Sequence, residues 1–144
     1  MKLIKYVALD GIESAPTWNA VRRAIELLER GQSRALSMGE DETGDVFMII
    51  SRCQPSGLYV SARAIEEADD YDLVDTSAPS DLLECVVGAQ RQTVTSDAIV
   101  DAAQVEPVAR HFLLTGMRLD SARWRKTQER YTRMAQGEPV HRRP

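Results

Sequence analysis

Hydrophobic residues recur along the chain with two different periods, and these periods predict its first elements. Residues 3–9 have the composition of a β-strand and end at an Asp-Gly turn pair. From Thr17 onward the apolar residues follow a helical spacing, and Gly31 stands where such a helix would end. We therefore expect a first strand followed by a helix over residues 17–30, capped by Thr17 or Ser14.

The middle of the chain predicts a series of short strands. Residues 46–50 are continuously apolar, as in a buried central strand, and residues 58–63 alternate as in a half-buried one. A turn that contains Pro55 separates these two runs, so that together they predict a β-hairpin. Further strands are predicted at residues 71–75, 82–87 and 91–95.

A second amphipathic pattern predicts another helix. Val105, Val108 and Phe112 lie at helical spacing, Gly116 marks the end, and Pro107 is expected in the first turn, where its missing N–H costs little. The order strand, helix, consecutive strands, helix favours an antiparallel sheet over a doubly wound parallel one. The predicted fold class is α+β, with an antiparallel sheet of about five to six strands and two main helices packed on one face.

The length and composition of the chain are those of a single domain. Its 144 residues are 43% hydrophobic, and we expect one domain over residues 1–124. Residues 125–144 are expected to form a basic C-terminal extension that begins as a helix and then frays. No stretch approaches the roughly 18 apolar residues of a membrane span, and Lys5 interrupts the first apolar run before a signal-peptide core develops. The sequence therefore predicts a cytoplasmic protein with no membrane partner.

The net charge of −4 conceals an asymmetry along the chain. Residues 1–90 hold 8 Lys and Arg residues against 16 Asp and Glu residues, whereas residues 91–144 hold 10 against 6. A basic partner for the first part is therefore expected.

Two acidic clusters account for much of this excess. Residues 66–72 alone place five carboxylates within seven positions. One interpretation is that these side chains only keep a sheet edge or a loop soluble. The other is that they imitate phosphate groups for a basic cleft in a partner protein. The candidate contact residues are Glu40, Asp41, Glu42, Glu66, Glu67, Asp69, Asp70 and Asp72.

The chain contains little that indicates catalysis. Its two histidines, His111 and His141, are interpreted as a residue at the edge of a helix stripe and a solvated tail residue, so no enzymatic activity is expected. Cys53 and Cys85 lack the spacing of metal ligands and are interpreted as reduced core thiols. No glycine motif for phosphate is present, and neither a cofactor nor a metal is expected. The basic extension lacks the interleaved aromatic residues of a nucleic-acid platform, so direct nucleic-acid binding is not expected.

Residues 105–124 resemble the closing signature of the deaminase-associated immunity protein family of bacterial polymorphic toxin systems. In that family an apolar helix carrying Phe leads into Thr-Gly-x-Arg-Pro and is followed a few residues later by Trp, and a Gly-Gly-Gln stretch follows an earlier strand. The chain departs from this pattern at Leu119, which replaces the proline, and at Ala89, which replaces the second glycine; both changes are expected to be structurally mild. The residues that match are Gly88, Gln90, Phe112, Thr115, Gly116, Arg118 and Trp124.

The resemblance implies a non-enzymatic protein that binds a cognate toxin domain and covers its active site. The toxins linked to the family are often nucleic-acid deaminases, with nucleases also represented, and the matching residues are those of packing and turns. Two alternatives stay open from the residues alone. The first is a small-molecule-binding or regulatory domain with a pocket near Tyr59, Cys85 or Trp124, and the second is an unrecognised enzyme built around His111. The oligomeric state is not predicted.

Overall fold

The computed structural model describes residues 4–40 and 44–143, which form two β-sheets and three α-helices. The elements in chain order are β1 (Tyr6–Leu9), β2 (Ile12–Ser14), α1 (Trp18–Glu29), β3 (Ala35–Gly39), β4 (Phe47–Arg52), β5 (Leu58–Arg63), β6 (Tyr71–Val74), β7 (Leu82–Val87), β8 (Gln90–Thr95), α2 (Ala102–Thr115), β9 (Arg123–Lys126), α3 (Gln128–Ala135) and β10 (Val140–Arg142). A short 3-10 turn, Ser96–Ala98, connects β8 to α2.

The larger sheet is antiparallel and has seven strands in the order β2-β1-β3-β4-β5-β6-β9. A second sheet has the order β10-β7-β8, and in it β10 runs parallel to β7. The predicted α+β class, with an antiparallel sheet and two main helices, is confirmed. The larger sheet has more strands than the five to six expected, and the second sheet is an addition to the prediction.

Helix α1 forms where the hydrophobic spacing predicts it. The Thr17 hydroxyl accepts a hydrogen bond from the backbone N–H of Ala20 at 3.2 Å and so caps the first turn. Val21, Ile25 and Leu28 are buried on one side of the helix, because residues spaced three and four apart share a face.

Helices α1 and α2 contact each other and cover one face of the larger sheet. Burying each large apolar side chain in this layer contributes about 1.5–3 kcal/mol. The core residues include Val21, Ile25, Leu28, Leu36, Met38, Met48, Ile50, Leu58, Val60, Leu73, Val105, Val108, Phe112 and Leu113.

Helix α2 begins one turn earlier than the sequence predicts. The Asp101 carboxylate accepts from the N–H of Gln104 at 2.8 Å, and the Gln104 side chain accepts from the N–H of Asp101 at 3.0 Å, which makes a complete capping box. Because this cap starts the helix at Ala102, Pro107 lies in the second turn, and its predicted place in the first turn is wrong. Gly116, with φ 71°, ends the helix in the left-handed conformation, as its position predicts.

The smaller sheet packs against the opposite face of the larger one. Tyr59 of β5 and Val74 of β6 point away from the helices and meet Cys85 of β7, Val94 of β8 and Cys53, which follows β4. We call this second buried layer the seam. It covers the larger sheet near β5 and β6, so that those strands are buried on both faces.

The C-terminal segment is ordered, contrary to the prediction that it frays. Strand β9 spans the boundary expected at residue 124 and pairs with β6, while β10 adds to the second sheet beside β7. The Arg133 guanidinium contacts both Glu138 and the carbonyl of Ser80, which holds the turn between α3 and β10. The backbone N–H of Arg143 then donates to the carbonyl of Glu84 at 2.8 Å. These distant partners supply the order that the local sequence lacks.

Candidate interaction surface

Carboxylates of the two acidic clusters lie at the same end of the larger sheet. The described ones are Glu40 and Asp45 from the first cluster, and Glu66, Glu67, Asp69 and Asp70 from the second. Gly39, the last residue of β3, lies opposite Phe47 of β4, which in turn lies opposite Arg63, the last residue of β5. The β3–β4 and β5–β6 connections therefore lie at the same end of the strands. Arg63 joins them, because its guanidinium lies 2.7 Å from an Asp70 oxygen and 3.7 Å from an Asp45 oxygen.

We call this region the acidic end, and define it by six described carboxylates. Asp45 was not among the contact residues predicted from the sequence, and Asp41 and Glu42, which were, lie outside the described residues. The members are Glu40, Asp45, Glu66, Glu67, Asp69 and Asp70.

Glu67 is the most firmly held member of the acidic end. Arg118 donates to it from Nε at 3.0 Å and from Nη2 at 2.5 Å, and the N–H of Ala64 donates at 2.8 Å. Burial alone would raise the pKa of Glu67, but these hydrogen bonds outweigh burial and lower the pKa. Glu67 therefore holds the β5–β6 connection against the segment that follows α2.

Two members of the acidic end each form an ion pair with one basic residue. Asp70 accepts from Arg63 Nε at 2.8 Å, and Asp69 lies 3.4 Å from the Lys126 amino group. Exposed pairs of this kind contribute little to stability. They leave the outer oxygens of both carboxylates accessible to a partner.

Glu66 and Asp45 are the most available carboxylates of the acidic end. The Asp45 side chain is 94% exposed, and its contact with Arg63 at 3.7 Å is long for an ion pair. Glu66 is exposed and has φ 64°, a left-handed conformation that few residues with a side chain adopt. Both project from connections rather than from strands.

Asp72 does not belong to this surface. Its prediction from the sequence as a contact residue is therefore wrong. It is 3% exposed and points into the seam. Tyr59 Oη donates to its Oδ1 at 2.6 Å, Thr127 Oγ1 donates to the same oxygen at 2.7 Å, and Arg130 Nη1 donates to Oδ2 at 3.1 Å. The register explains the difference, since Asp72 lies opposite Ser61 on the face turned away from the helices. Its role is to anchor α3.

Three large apolar side chains are exposed on the two segments that the Glu67–Arg118 ion pair joins and on the last turn of α2. Ile65 is 42% exposed, Leu114 is 63% exposed and Met117 is 43% exposed. The ion pair between Glu67 and Arg118 holds the segments that carry Ile65 and Met117 side by side. An apolar centre with a charged rim is the usual composition of a protein interface.

Sequence reasoning missed this apolar group. Leu114 follows the buried residues Phe112 and Leu113, and three consecutive apolar residues cannot all lie on one face of a helix. That triplet was the signal available in the sequence, and it indicates that one of the three side chains faces solvent.

The family-like motif residues at the end of α2 lie in packing and turn positions. Phe112 is fully buried in the main core, and the Thr115 hydroxyl donates to the carbonyl of His111 at 2.7 Å and accepts from the N–H of Met117 at 3.1 Å. Trp124 packs against the main core and donates from Nε1 to the carbonyl of Leu119 at 3.0 Å. These contacts shape the segment that presents Met117 and Arg118.

The remaining motif residues form the hairpin turn between β7 and β8. Gly88 has φ 57° and Ala89 has φ 72°, and the exposed Gln90 pairs with Val87. Two consecutive residues with positive φ define a type I′ turn, which favours glycine. Ala89 thus lies where its Cβ is strained, although the turn keeps its hairpin pairing with alanine in this position.

Within the described residues, the cavity nearest to the positions named for a small-molecule pocket is one of about 310 Å³ beside Trp124, where Leu119 and Arg123 are among the lining residues. Tyr59 and Cys85 are buried in the seam, and Trp124 packs against the main core.

Another cavity, of about 470 Å³, opens beside the start of α2, where Asp101 and Arg143 are among the lining residues. Across residues 4–40 and 44–143, no three His, Cys, Asp or Glu side chains are grouped so that they could hold a metal ion.

Comparison of the chain with models of protein families gives no match, and comparison with curated proteins gives none. Within the described part of the chain, no helix combines the length and the apolar character that crossing a membrane requires.

Proposed function

We propose that this protein is a cytoplasmic, non-enzymatic immunity protein, which binds a cognate toxin domain and covers its active site. The acidic end of the larger sheet is the contact surface, and the toxin is a nucleic-acid deaminase or nuclease. The observation that carries the proposal is the meeting of the two acidic segments, which Arg63 joins through Asp45 and Asp70.

The charge of this surface suits a cleft that receives a polyanion. Among the described residues, three basic side chains pair with its six carboxylates, those of Arg63, Arg118 and Lys126. A site that binds nucleic acid is positively charged, because it must compensate the phosphate backbone. A carboxylate-rich surface therefore competes with the substrate for the same basic residues of the toxin.

The exposed apolar group supplies the other component of affinity. Charged rims accelerate association and select the partner, whereas buried apolar side chains at the centre supply most of the binding energy. Ile65, Leu114 and Met117 are the side chains that a partner would bury. Their position beside Glu67 and Arg118 places them next to the residues that resemble the family signature.

The test begins with capture of the partner by the tagged full-length protein from its native lysate, followed by mass spectrometry. Each captured chain is then expressed alone and together with this protein. We expect that one of them is a toxin domain whose lethality this protein suppresses. If no captured chain is lethal and a small molecule copurifies instead, the immunity proposal is wrong, and the small-molecule alternative takes its place.

The surface is tested separately with two charge-reversal variants of the same size. The first replaces Asp45, Glu66 and Asp69 by lysine, and the second replaces three exposed carboxylates elsewhere by lysine. We expect the first variant to raise the Kd for the toxin domain by about tenfold or more and to slow association, with a smaller effect at high salt. The second variant controls for net charge and is expected to bind as the parent does. Its residues are Glu13, Glu29 and Asp81.

Equal binding by both variants would reject the acidic end as the contact surface. Protection in the growth assay would still hold in that case, so the two parts of the proposal fail independently.

A further inference from the structure

Two cysteines from different parts of the fold meet in the seam. Cys53 follows β4 of the larger sheet, and Cys85 belongs to β7 of the smaller one. Both are fully buried and unlinked, and both belong to the same apolar cluster. Each thiol also shifts the pKa of the other, as neighbouring ionisable groups do.

The backbone around the two cysteines is held in register from both sides. Cys53 forms an antiparallel bridge with Val87. The N–H of Gln54 donates to the carbonyl of Val86 at 2.9 Å, and the N–H of Gly88 donates to the carbonyl of Arg52 at 2.8 Å. Cys85 lies two residues before Val87 on the same face of β7, so it is the diagonal neighbour of Cys53 across this strand pair.

The surroundings of the two thiols shift their pKa values in opposite directions. The hydrogen bond from Cys53 is the main cause that lowers the pKa of Cys85 to about 7; burial opposes this effect, and the charges of Arg143 and Arg91 add to it. The pKa of Cys53 is raised, first by its interaction with Cys85 and then by burial. Cys85 is therefore the nucleophile of the pair, since the thiolate is the reactive form of cysteine.

We propose that Cys53 and Cys85 form a redox-active pair, in which a peroxide closes a reversible disulfide between the two sheets. This modification site rests on the geometry of the seam and does not depend on the proposed function.

The reaction has two steps. The Cys85 thiolate attacks one oxygen of hydrogen peroxide and the O–O bond breaks, which leaves a sulfenic acid on Cys85 and a hydroxide that takes up a proton to become water. Cys53 then loses its proton and attacks the Cys85 sulfur, the S–O bond breaks, and a second water departs as the S–S bond forms. The two thiols lose two electrons in total, and the peroxide gains them. A dithiol reductant reverses the bond when local opening of the seam exposes the sulfurs.

The burial of the two thiols determines which oxidants can reach them. Both side chains have 0% exposure, so a bulky disulfide such as oxidised glutathione cannot reach either sulfur without local opening of the seam. Hydrogen peroxide is close to water in size and enters with a much smaller displacement. We therefore expect oxidation by peroxide to be at least tenfold faster than oxidation by glutathione disulfide at equal concentration.

The test treats the reduced full-length protein with hydrogen peroxide under native conditions. We expect both thiols to disappear together, the intact mass to fall by that of two hydrogens, and tryptic mapping to recover a peptide pair linked through Cys53 and Cys85. A dithiol should restore the thiols and the mass. The oxidised form should have a Tm higher by about 5 °C or more, because the bond constrains the unfolded chain.

Single serine variants assign the two roles. In Cys53→Ser, the sulfenic acid on Cys85 should accumulate, and dimedone added together with urea after the peroxide is removed should trap it, whereas in Cys85→Ser the remaining Cys53 should react at least tenfold more slowly. Three results would overturn the proposal: oxygen addition without a linked peptide pair in the wild type, dimers joined between chains, or thiol loss that occurs only after unfolding in urea. The peptide mapping uses the wild type alone, so the outcome does not depend on whether the variants fold.

Discussion

The guanidinium of Arg118 lies 3.7 Å from the centre of the Tyr71 ring and 5.4 Å from that of Trp124, while the carboxylate of Glu67 holds it in place with a bidentate pair of hydrogen bonds. One side chain thus joins β6, β9, the β5–β6 connection and the segment after α2. The planar guanidinium suits this position, because it stacks on aromatic rings and offers parallel donors to a carboxylate at the same time.

Replacing Arg118 by lysine should therefore be costly even though the charge is kept. We expect Arg118→Lys to lower the free energy of unfolding by about 1–2 kcal/mol, since the ammonium group can neither stack nor bind the carboxylate in a bidentate way. Urea denaturation measures the change. Arg123→Lys on the exposed side of β9 is the matched control and should stay within about 0.5 kcal/mol of the wild type. Equal stabilities of the two variants would contradict the role given to Arg118.

The ion pair of Glu67 should make stability depend on pH in the acid range. The folded-state pKa of Glu67 lies below its unfolded value of about 4.5, so its contribution is fully present above pH 4.5 and is lost as the pH falls through the folded pKa. The difference in unfolding free energy between wild type and Glu67→Gln should shrink as the pH is lowered below 4.5.

The pH dependence of wild-type stability alone would not isolate Glu67, because Asp72 changes stability in the opposite direction as the pH falls. Asp72 is present in both the wild type and Glu67→Gln, so its effect cancels in the comparison. Burial raises the pKa of Asp72 and outweighs the hydrogen bond from Tyr59 and the charge of Arg130, so protonation of Asp72 favours the folded state as the pH falls. A difference between the two proteins that does not change from pH 7 to pH 3 would contradict the prediction for Glu67.

Asp72 and Arg130 should behave as a coupled pair in the seam. Each side chain is 5% exposed, so removal of either member leaves the other charge buried without its ion-pair partner. In the described part of the chain, Arg130 Nε already lacks a hydrogen-bond partner. We expect Arg130→Met to cost about 3–5 kcal/mol, and Asp72→Asn combined with Arg130→Met to cost less than the sum of the two single changes. A double-mutant cycle in urea measures the coupling. Additive losses would show that the pair does not act as a unit.

Ala89 is a position where a smaller residue should stabilise the protein. Its φ of 72° strains an alanine, whereas glycine adopts this conformation freely. We expect Ala89→Gly to raise the free energy of unfolding by about 0.5–1 kcal/mol. Ala68→Gly, at an exposed position without positive φ, is the control and should have no effect or destabilise. A loss of stability in Ala89→Gly would contradict the strain argument.

The predicted parts of the fold are those that local sequence specifies. Helix α1 combines a cap at Thr17 with a regular apolar spacing, and the hairpin of β4 and β5 combines apolar and alternating runs with a turn. Strand β9 has the sequence Arg-Trp-Arg-Lys and carries no alternation that would distinguish it from a basic tail. It is a strand because its backbone completes the pairing of β6, and that partner lies about fifty residues earlier in the chain.

The sequence predicted most of the acidic residues that the surface contains, but not which of them would be exposed to a partner. Five carboxylates within seven residues were visible, yet the sequence could not show that Asp72 would face inward or that Glu67 would be held by Arg118, fifty-one residues away. Charge counts record which residues are present, whereas availability to a partner depends on register and on distant pairs. The apolar neighbours Leu114 and Met117 were missed for the same reason.

The order in which the strands are arranged also bears on how the chain is made. Strand β6 obtains its outer neighbour from residues 123–126, and β7 obtains its own from residues 140–142. During synthesis from the N-terminus, β6 therefore exposes an unpaired edge until residues 123–126 have left the ribosome, and β7 exposes one until residues 140–142 have done so. Nascent chains that stop before β9 carry open edges able to pair with one another, and they are the species on which chaperones would act.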